Sequence, residues 1–200
     1  MSDWTSDPIR EIVEDRERAR ARGDALVDVC YVVTAAAADR AEARAVTLRD
    51  VSDRGIGLLI SRTSPKWRQL TATGTVMLLI HWPIVRRQYR IWGGTAPMEA
   101  ECLDAYWRRK SHGSMLLEHY YTAFHPQSAP IASRDEFLTG IETLRQRYPD
   151  RALVPAPPSL AGLYVVPREI EIWHGSEERL HDRRVFRRTG SGWESTTLVP

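Results

Sequence analysis

The densest group of chemically capable side chains lies near the C-terminal end. Glu171-Ile172-Trp173-His174-Gly175 is followed closely by Arg179-Leu180-His181-Asp182-Arg183. On an extended chain alternate residues share a face, so Trp173 would stand beside Glu171, and Arg179, His181 and Arg183 would form a row. Two guanidinium forks flanking an imidazole can hold a phosphate or carboxylate through charge-assisted hydrogen bonds. The same row also fits a solvated, arginine-rich sheet edge. A second group is Arg44-Ala45-Val46-Thr47-Leu48-Arg49. Its two arginines have opposite parity, so a regular strand sends them to opposite sides. A third is Thr63-Ser64-Pro65-Lys66, with hydroxyls and a lysine at a helix start. A cation in a first helical turn opposes the helix dipole unless an anion sits there, so this suits a phosphate. The simpler alternative is an N-cap with a solvated lysine.

The elements that must carry these groups can be read from pattern. Asp7-Pro8 is an N-cap followed by a residue suited to the first turn, which predicts a helix through Ala21 with Gly23 as its stop. Strands are expected at 27–34, 43–50, 57–60, 76–81 and 87–92, the last ending at Gly93-Gly94. A helix opens at Ser64-Pro65 and runs to about Ala72, and another spans 98–110. A polar, histidine-containing stretch then continues to Pro130. Ser133-Arg134-Asp135-Glu136 is a capping-box pattern that starts a helix to about Tyr148. Pro155-Ala156-Pro157-Pro158 is a stiff connector. Late strands are expected at 163–166, 169–173, 183–188 and 193–198, with Gly190-Ser191-Gly192 as a hairpin turn. Many strands with a few interposed helices imply an α+β protein built on a mostly antiparallel sheet or barrel.

Composition removes several functional classes. Of the 28 Lys and Arg residues only Lys66 and Lys110 are lysines, and against 26 acids the net charge is +2. That balance is too small, and the acids too interspersed, for a protein that coats nucleic acid. The apolar run Val76–Ile80 has a strand's length, not a membrane span's. The chain opens Met1-Ser2-Asp3-Trp4 and soon becomes highly charged, without the apolar core of a signal peptide. Cys30 and Cys102 make neither a zinc site nor a disulfide framework, so a reduced, cytoplasmic setting without a structural metal is expected. His119 and His125 fit no metal spacing, and Cys30 within an apolar strand reads as a buried thiol. Neither a Gly-x-Gly-x-x-Gly loop after a strand nor a Walker loop is present.

Taken in order, these segments resemble the pyridoxamine 5′-phosphate oxidase family. The resemblance runs from about Asp7 to Pro200. It is strongest over Glu171–Arg183, and Trp82, Arg87-Gln88 and Leu198-Val199-Pro200 also match. It implies one domain over residues 1–200, an FMN-binding split β-barrel with peripheral helices. Residues 1–24 would form an N-terminal helix and 160–200 the strands that carry the signature. It further implies a homodimer and FMN as cofactor, with dioxygen accepting the electrons of pyridoxine or pyridoxamine 5′-phosphate.

Residue by residue, Arg44 through Arg49 resembles the strand that contacts FMN, with Arg44 near its phosphate and Lys66 as the second phosphate cation. Gln88 looks like the amide against the flavin. Gln127-Ser128, Trp173 and Arg183 complete the cofactor set. Tyr106, Lys110 and Ser114 look like the group that grips the substrate phosphate, Arg179 and His181 like the pair over its ring, and Arg49 stands where a substrate-contacting lysine is usual. Some positions depart from the family pattern. Lys110 stands for an arginine, Pro65 for an arginine at the FMN phosphate, and Met115 for a glutamine. Leu160-Ala161 replaces an aromatic and a tryptophan, and Val165 replaces an arginine. A related flavin oxidase acting on another ring, such as a phenazine precursor, and a flavin or pyridoxal-phosphate binder without turnover are the alternatives.

Overall fold

The computed structural model describes residues 6–37, 40–190 and 192–200. The N-terminal Met1–Trp4 and Ser191 of the expected hairpin turn lie outside the described residues.

Helix α1 (Pro8–Ala21) begins as its sequence requires, with the Asp7 carboxylate accepting from the backbone N–H groups of Ile9 and Arg10. Gly23 then takes φ +74°, a conformation that costs glycine little. The strands are β1 (Val29–Ala37), β2 (Arg40–Thr47), β3 (Asp50–Ser52), β4 (Gly55–Ser61), β5 (Val76–Trp82), β6 (Arg87–Pro97), β7 (Leu160–His174), β8 (Asp182–Arg188) and β9 (Trp193–Leu198). They form one mostly antiparallel sheet in the order β2-β1-β5-β6-β7-β4-β3, with β8 on β7 and β9 on β8. This is the α+β split-barrel fold expected from the sequence. The other helices are α2 (Pro65–Thr73), α3 (Ala100–Arg109), α4 (His112–Ala123) and α5 (Arg134–Arg147). Among the described residues no helix is long and apolar enough to cross a membrane.

Two compact units emerge. The first comprises residues 1–58, 73–96 and 164–200, and the second residues 59–72 and 97–163. In the first, Val32, Leu78, Ile80, Tyr89, Ile91, Ile170 and Phe186 are almost fully buried. On β1, β5 and β6 they alternate with half-exposed residues, as a one-sided sheet demands. Helix α1 is fixed to this unit by buried polar contacts. Asp15, fully buried, receives Arg87 Nε at 3.0 Å and close bonds from Arg18 and the Tyr89 hydroxyl. Glu11 Oε1 lies 2.6 Å from His174 Nε2. In the second unit, Leu116 and Tyr120 of α4 pack with Leu144 of α5, and Trp107, Met115, Val154 and Leu160 form a neighbouring cluster.

Three expectations need correction. Strand β6 does not end at Gly93-Gly94 but continues to Pro97. A Cβ on Gly93 would stand 2.1 Å from the Val166 carbonyl oxygen, so Gly93 serves close backbone approach, not termination. The two strands expected at 163–166 and 169–173 are one strand, β7, that passes through Pro167. The stretch after Lys110 contains a full helix, α4, capped by the Ser111 hydroxyl.

Candidate functional site

The first unit holds Arg44, Ala45, Val46, Thr47, Leu48, Arg49, Gln88, Trp173, Arg179, His181 and Arg183; the second holds Lys66, Tyr106, Lys110, Ser114, Gln127 and Ser128.

In the first unit the core of the candidate site is the β7–β8 junction. Trp173 and Arg183 are directly opposed across the ladder. The chain between them is a loop, not an extended row. Arg179 adopts φ +62° and is exposed, so it, His181 and Arg183 do not share one strand face. The loop nonetheless fixes His181. Its ring centroid lies 4.6 Å from that of Trp173 at 50°, and Ser176 N–H donates to Nδ1 at 3.1 Å. A neutral imidazole that accepts at Nδ1 carries its proton on Nε2, so the free edge is a donor. Gly175 makes the arrangement possible. A Cβ there would fall 2.5 Å from Trp173 Cη2, and Gly175 N–H donates to the Arg86 carbonyl at 2.9 Å.

Glu171 positions Arg183. Its side chain is 8% exposed and bridges two guanidiniums. Arg183 Nη2 and Nε reach Oε1 at 2.8 and 3.2 Å, and Arg90 Nη1 reaches Oε2 at 2.9 Å. Arg183 Nη1 also donates to the Val199 carbonyl. The sequence pointed to Arg183 and set Glu171 on the face of Trp173 by their two-residue spacing, but it assigned Glu171 no role and did not single out Arg90.

Arg44 lies on β2, where it donates to Glu42 Oε2 at 2.9 Å, to the Glu42 carbonyl and to the Thr34 hydroxyl. Ala45, Val46 and Thr47 complete β2, and the strand stops before Leu48 and Arg49. Leu48 is buried with its N–H on the Asp28 carbonyl, and Arg49 N–H bonds the Gly57 carbonyl. Gln88 on β6 opposes His81 on β5.

In the second unit Lys66 occupies the first turn of α2, a helix with no acidic residue in that turn. Ser64 Oγ caps it by accepting from Trp67 N–H. Lys66 Nζ donates to Gln127 Oε1 at 3.1 Å, and Gln127 N–H donates to Thr63 Oγ1 at 3.3 Å. Ser128 follows at φ +68°. The sequence-expected Lys66 and Gln127-Ser128 thus meet across 61 residues of chain. An ammonium, hydroxyls and a carboxamide beside a helix N-terminus are the donor set that a phosphate monoester takes, so these residues fit the FMN phosphate.

Tyr106 stands on α3 under the Arg109 guanidinium, and Ser114 on α4 shares a hydroxyl contact of 2.9 Å with Ser111. Lys110 caps α3 and is buried, with Nζ 2.7 Å from Glu118 Oε1. Tyr121 completes this region. Burial and the Glu118 charge push its phenol up to about 12, against a smaller opposing effect of the Gln127 hydrogen bond.

Groups set aside as structural behave so. Cys30 is fully buried, and burial pushes its thiol up to about 12. His119 Nε2 meets the Pro155 carbonyl and His125 Nε2 meets Glu136. Glu11, Asp15 and His174 place ligand-type atoms within 4.8 Å of one another. Asp15 is nevertheless already engaged by two arginines and a phenol, which disfavours a further cation.

Comparison with known proteins identifies the family and the fold. A family described as the pyridoxine 5′-phosphate oxidase C-terminal dimerisation region matches residues 161–200. A Myxococcus xanthus protein named pyridoxine/pyridoxamine 5′-phosphate oxidase is 32% identical over 194 residues, covering 97% of this chain and 92% of its own. The protein of that name from Rubrobacter xylanophilus is 34% identical over 194 residues, covering 97% and 87%. Among solved structures, PhzG from Burkholderia lata, in complex with tetrahydrophenazine-1-carboxylic acid, superposes with a TM-score of 0.85 at 28% identity, over 99% of this chain and 95% of that one. A pyridoxamine 5′-phosphate oxidase-related, FMN-binding protein from Nostoc punctiforme shares the fold, with a TM-score of 0.74 at 16% identity over 96% and 97%.

Proposed function

Because the chain belongs to the pyridoxine/pyridoxamine 5′-phosphate oxidase family of FMN-dependent oxidoreductases, we propose that it oxidises pyridoxine or pyridoxamine 5′-phosphate to pyridoxal 5′-phosphate, with dioxygen as the final acceptor. The observation that carries this reading is the fixed ring of His181, packed at a tilt against Trp173 and held at Nδ1 by Ser176 N–H.

FMN, when bound, supplies the two-electron acceptor for a hydride from substrate C4′. The protein's part is binding and orientation. Lys66, Gln127 and Thr63 hold the cofactor phosphate, with Arg44 as a further cation. Gln88, Trp173 and Arg183 contact the rest of FMN, and Glu171 keeps the Arg183 fork in place. Arg179 and the Nε2–H edge of His181 orient the substrate ring and stabilise charge that develops on it. Tyr106, Lys110 and Ser114 bind the substrate's acidic end, and Arg49 is a further substrate contact. The substrate loses a hydride and a proton, which turns the alcohol into the aldehyde and the amine into an imine that water hydrolyses to the aldehyde with release of ammonia; dioxygen takes up both electrons with two protons as hydrogen peroxide. No side chain has to act as an obligate acid or base in the hydride step.

A second reading keeps FMN and replaces the vitamin phosphate by a ring carboxylic acid. The Lys110–Glu118 pair favours it, since Glu118 already neutralises the lysine of the acid-binding group. The likeness to PhzG, whose structure holds a ring carboxylate, points the same way.

We also propose a homodimer. The face of β1, β5 and β6 opposite the core presents Tyr31, Val33, Met77, Leu79 and Trp92, all half-buried, in direct cross-strand register. A cavity of about 460 Å³ opens on this face. An apolar, partly exposed sheet face is the kind of surface that a second copy covers, and the match to a dimerisation region supports this.

The test is turnover in air. Purified, FMN-loaded protein should convert either vitamin phosphate to pyridoxal 5′-phosphate with one hydrogen peroxide per product. Lys66→Met should lose FMN on gel filtration. If neither substrate gives product while FMN stays bound, the vitamin-phosphate reading is wrong.

A further inference from the structure

The chain's only two lysines lie in the second unit at the two ends of a chain of polar side chains, hydrogen-bonded except between Tyr121 and Glu118, which interact through charge alone. Lys66 Nζ bonds Gln127 Oε1, and Gln127 Nε2 donates to Tyr121 Oη at 3.4 Å. The Tyr121 phenol feels the charge of Glu118, and Glu118 Oε1 takes Lys110 Nζ at 2.7 Å. Glu118 is the anion in this chain, and neither motif nor spacing drew attention to it. On α4, Ser114, Glu118 and Tyr121 stand at i, i+4 and i+7, so Glu118 shares the face of the proposed substrate serine.

Two features make this pair more than a surface ion pair. The Lys110 and Glu118 side chains are 8% and 13% exposed, so water and salt screen them little. Glu118 Oε2 is buried without a hydrogen-bond partner. A buried acceptor with one oxygen satisfied and one not calls for a donor. A ligand that approaches Lys110 therefore meets a cation already neutralised and an acceptor still open. A phosphate dianion adds two negative charges beside the Glu118 carboxylate. A carboxylate adds one, and a ring N–H or O–H next to it can satisfy Oε2.

We propose that Glu118 sets the charge preference of the substrate site, lowering its affinity for a phosphate dianion and admitting a ring carboxylic acid that carries a neighbouring N–H or O–H donor. This inference rests on the reading of Tyr106, Lys110 and Ser114 as the acid-binding group.

The test is calorimetric titration of FMN-loaded protein with pyridoxal 5′-phosphate and with anthranilate, a ring carboxylate that carries a neighbouring N–H donor. Glu118→Gln should bind pyridoxal 5′-phosphate about tenfold more tightly than the unmodified protein, the scale expected when one close like charge is removed, and should change carboxylate binding much less. Lys110→Gln/Glu118→Gln replaces a neutral pair by a neutral pair of similar volume, and should bind the phosphate ligand within about threefold of the unmodified protein. Lys110→Gln alone should weaken it by more. Circular dichroism and retained FMN report folding, and the double variant serves if Glu118→Gln fails to fold. Unchanged or weaker phosphate binding in a folded Glu118→Gln, or a double variant as impaired as Lys110→Gln, overturns the proposal. If Lys110→Gln alters the binding of neither probe, the underlying site reading fails instead.

Discussion

Replacing Glu171 by glutamine tests how Arg183, the arginine proposed to contact FMN, is held. Glu171 accepts three hydrogen bonds from two guanidiniums, at 2.8, 3.2 and 2.9 Å. Glutamine keeps one acceptor oxygen but turns an N–H₂ group toward one arginine. One charge-assisted bond is lost outright, worth about 1.5–3 kcal/mol, and those to the other arginine fall to ordinary strength. Repulsion between the guanidiniums adds little, because Arg90 and Arg183 are 39% and 25% exposed and water screens them. The sum is about 2–3 kcal/mol, which for a chain of this length lowers Tm by about 4–12 °C. Thermal unfolding of the FMN-free protein measures it. FMN titration should show weaker binding as well, since Arg183 loses its orientation. Glu171→Gln with Tm within about 1 °C of the parent and the same FMN affinity would refute the argument, because a surface substitution does no more than that.

Three further outcomes follow from particular contacts. Gly175→Ala should tip the Trp173 ring away from His181, since its Cβ would sit 2.5 Å from Cη2; overpacking costs about 1–3 kcal/mol, and Trp173 fluorescence should shift against a background lacking that tryptophan's signal. Gly93→Ala should lower stability by at least about 2 kcal/mol in urea, because its Cβ would meet the Val166 carbonyl oxygen, which is backbone and cannot swing aside. For Tyr121, burial and Glu118 raise the folded phenol to about 12, above the unfolded value of about 10. Its contribution is therefore complete below pH of about 10 and lost as pH rises through about 12. Stability of the unmodified protein relative to Tyr121→Phe should fall over that window, and a constant difference would count against the assignment.

Much of the fold could be read from local chemistry. Helix α1 was visible because Asp7-Pro8 is both cap and first turn, and α5 because Ser133 and Glu136 bond as a capping pattern does, Ser133 Oγ taking Glu136 N–H and Glu136 taking Ala132 N–H. Helix α4 was hidden by glycine, histidines and paired tyrosines of poor helix propensity. Its burial of Leu116 and Tyr120, four apart, was the available signal. Gly93 and Pro167 misled because each serves a tertiary contact or strand position that no local rule foresees. Within the site, Lys66 and Gln127 could be named but their meeting could not, since 61 residues separate them. The loop before His181 broke the expected period-two row because Arg179 adopts a left-handed conformation. Glu118 was invisible because its importance comes from where α3 ends and α4 begins.

Under the proposed function, His181 and Arg179 orient the substrate ring so that C4′ can give its hydride to FMN. Anaerobic addition of pyridoxine 5′-phosphate to the FMN-loaded protein tests it most directly. The flavin's visible absorbance should bleach, with pyridoxal 5′-phosphate formed in equal amount, and should bleach little in His181→Asn that still retains FMN. A flavin that stays bound and fully oxidised, with either vitamin phosphate and with a reduced ring carboxylic acid, would contradict it.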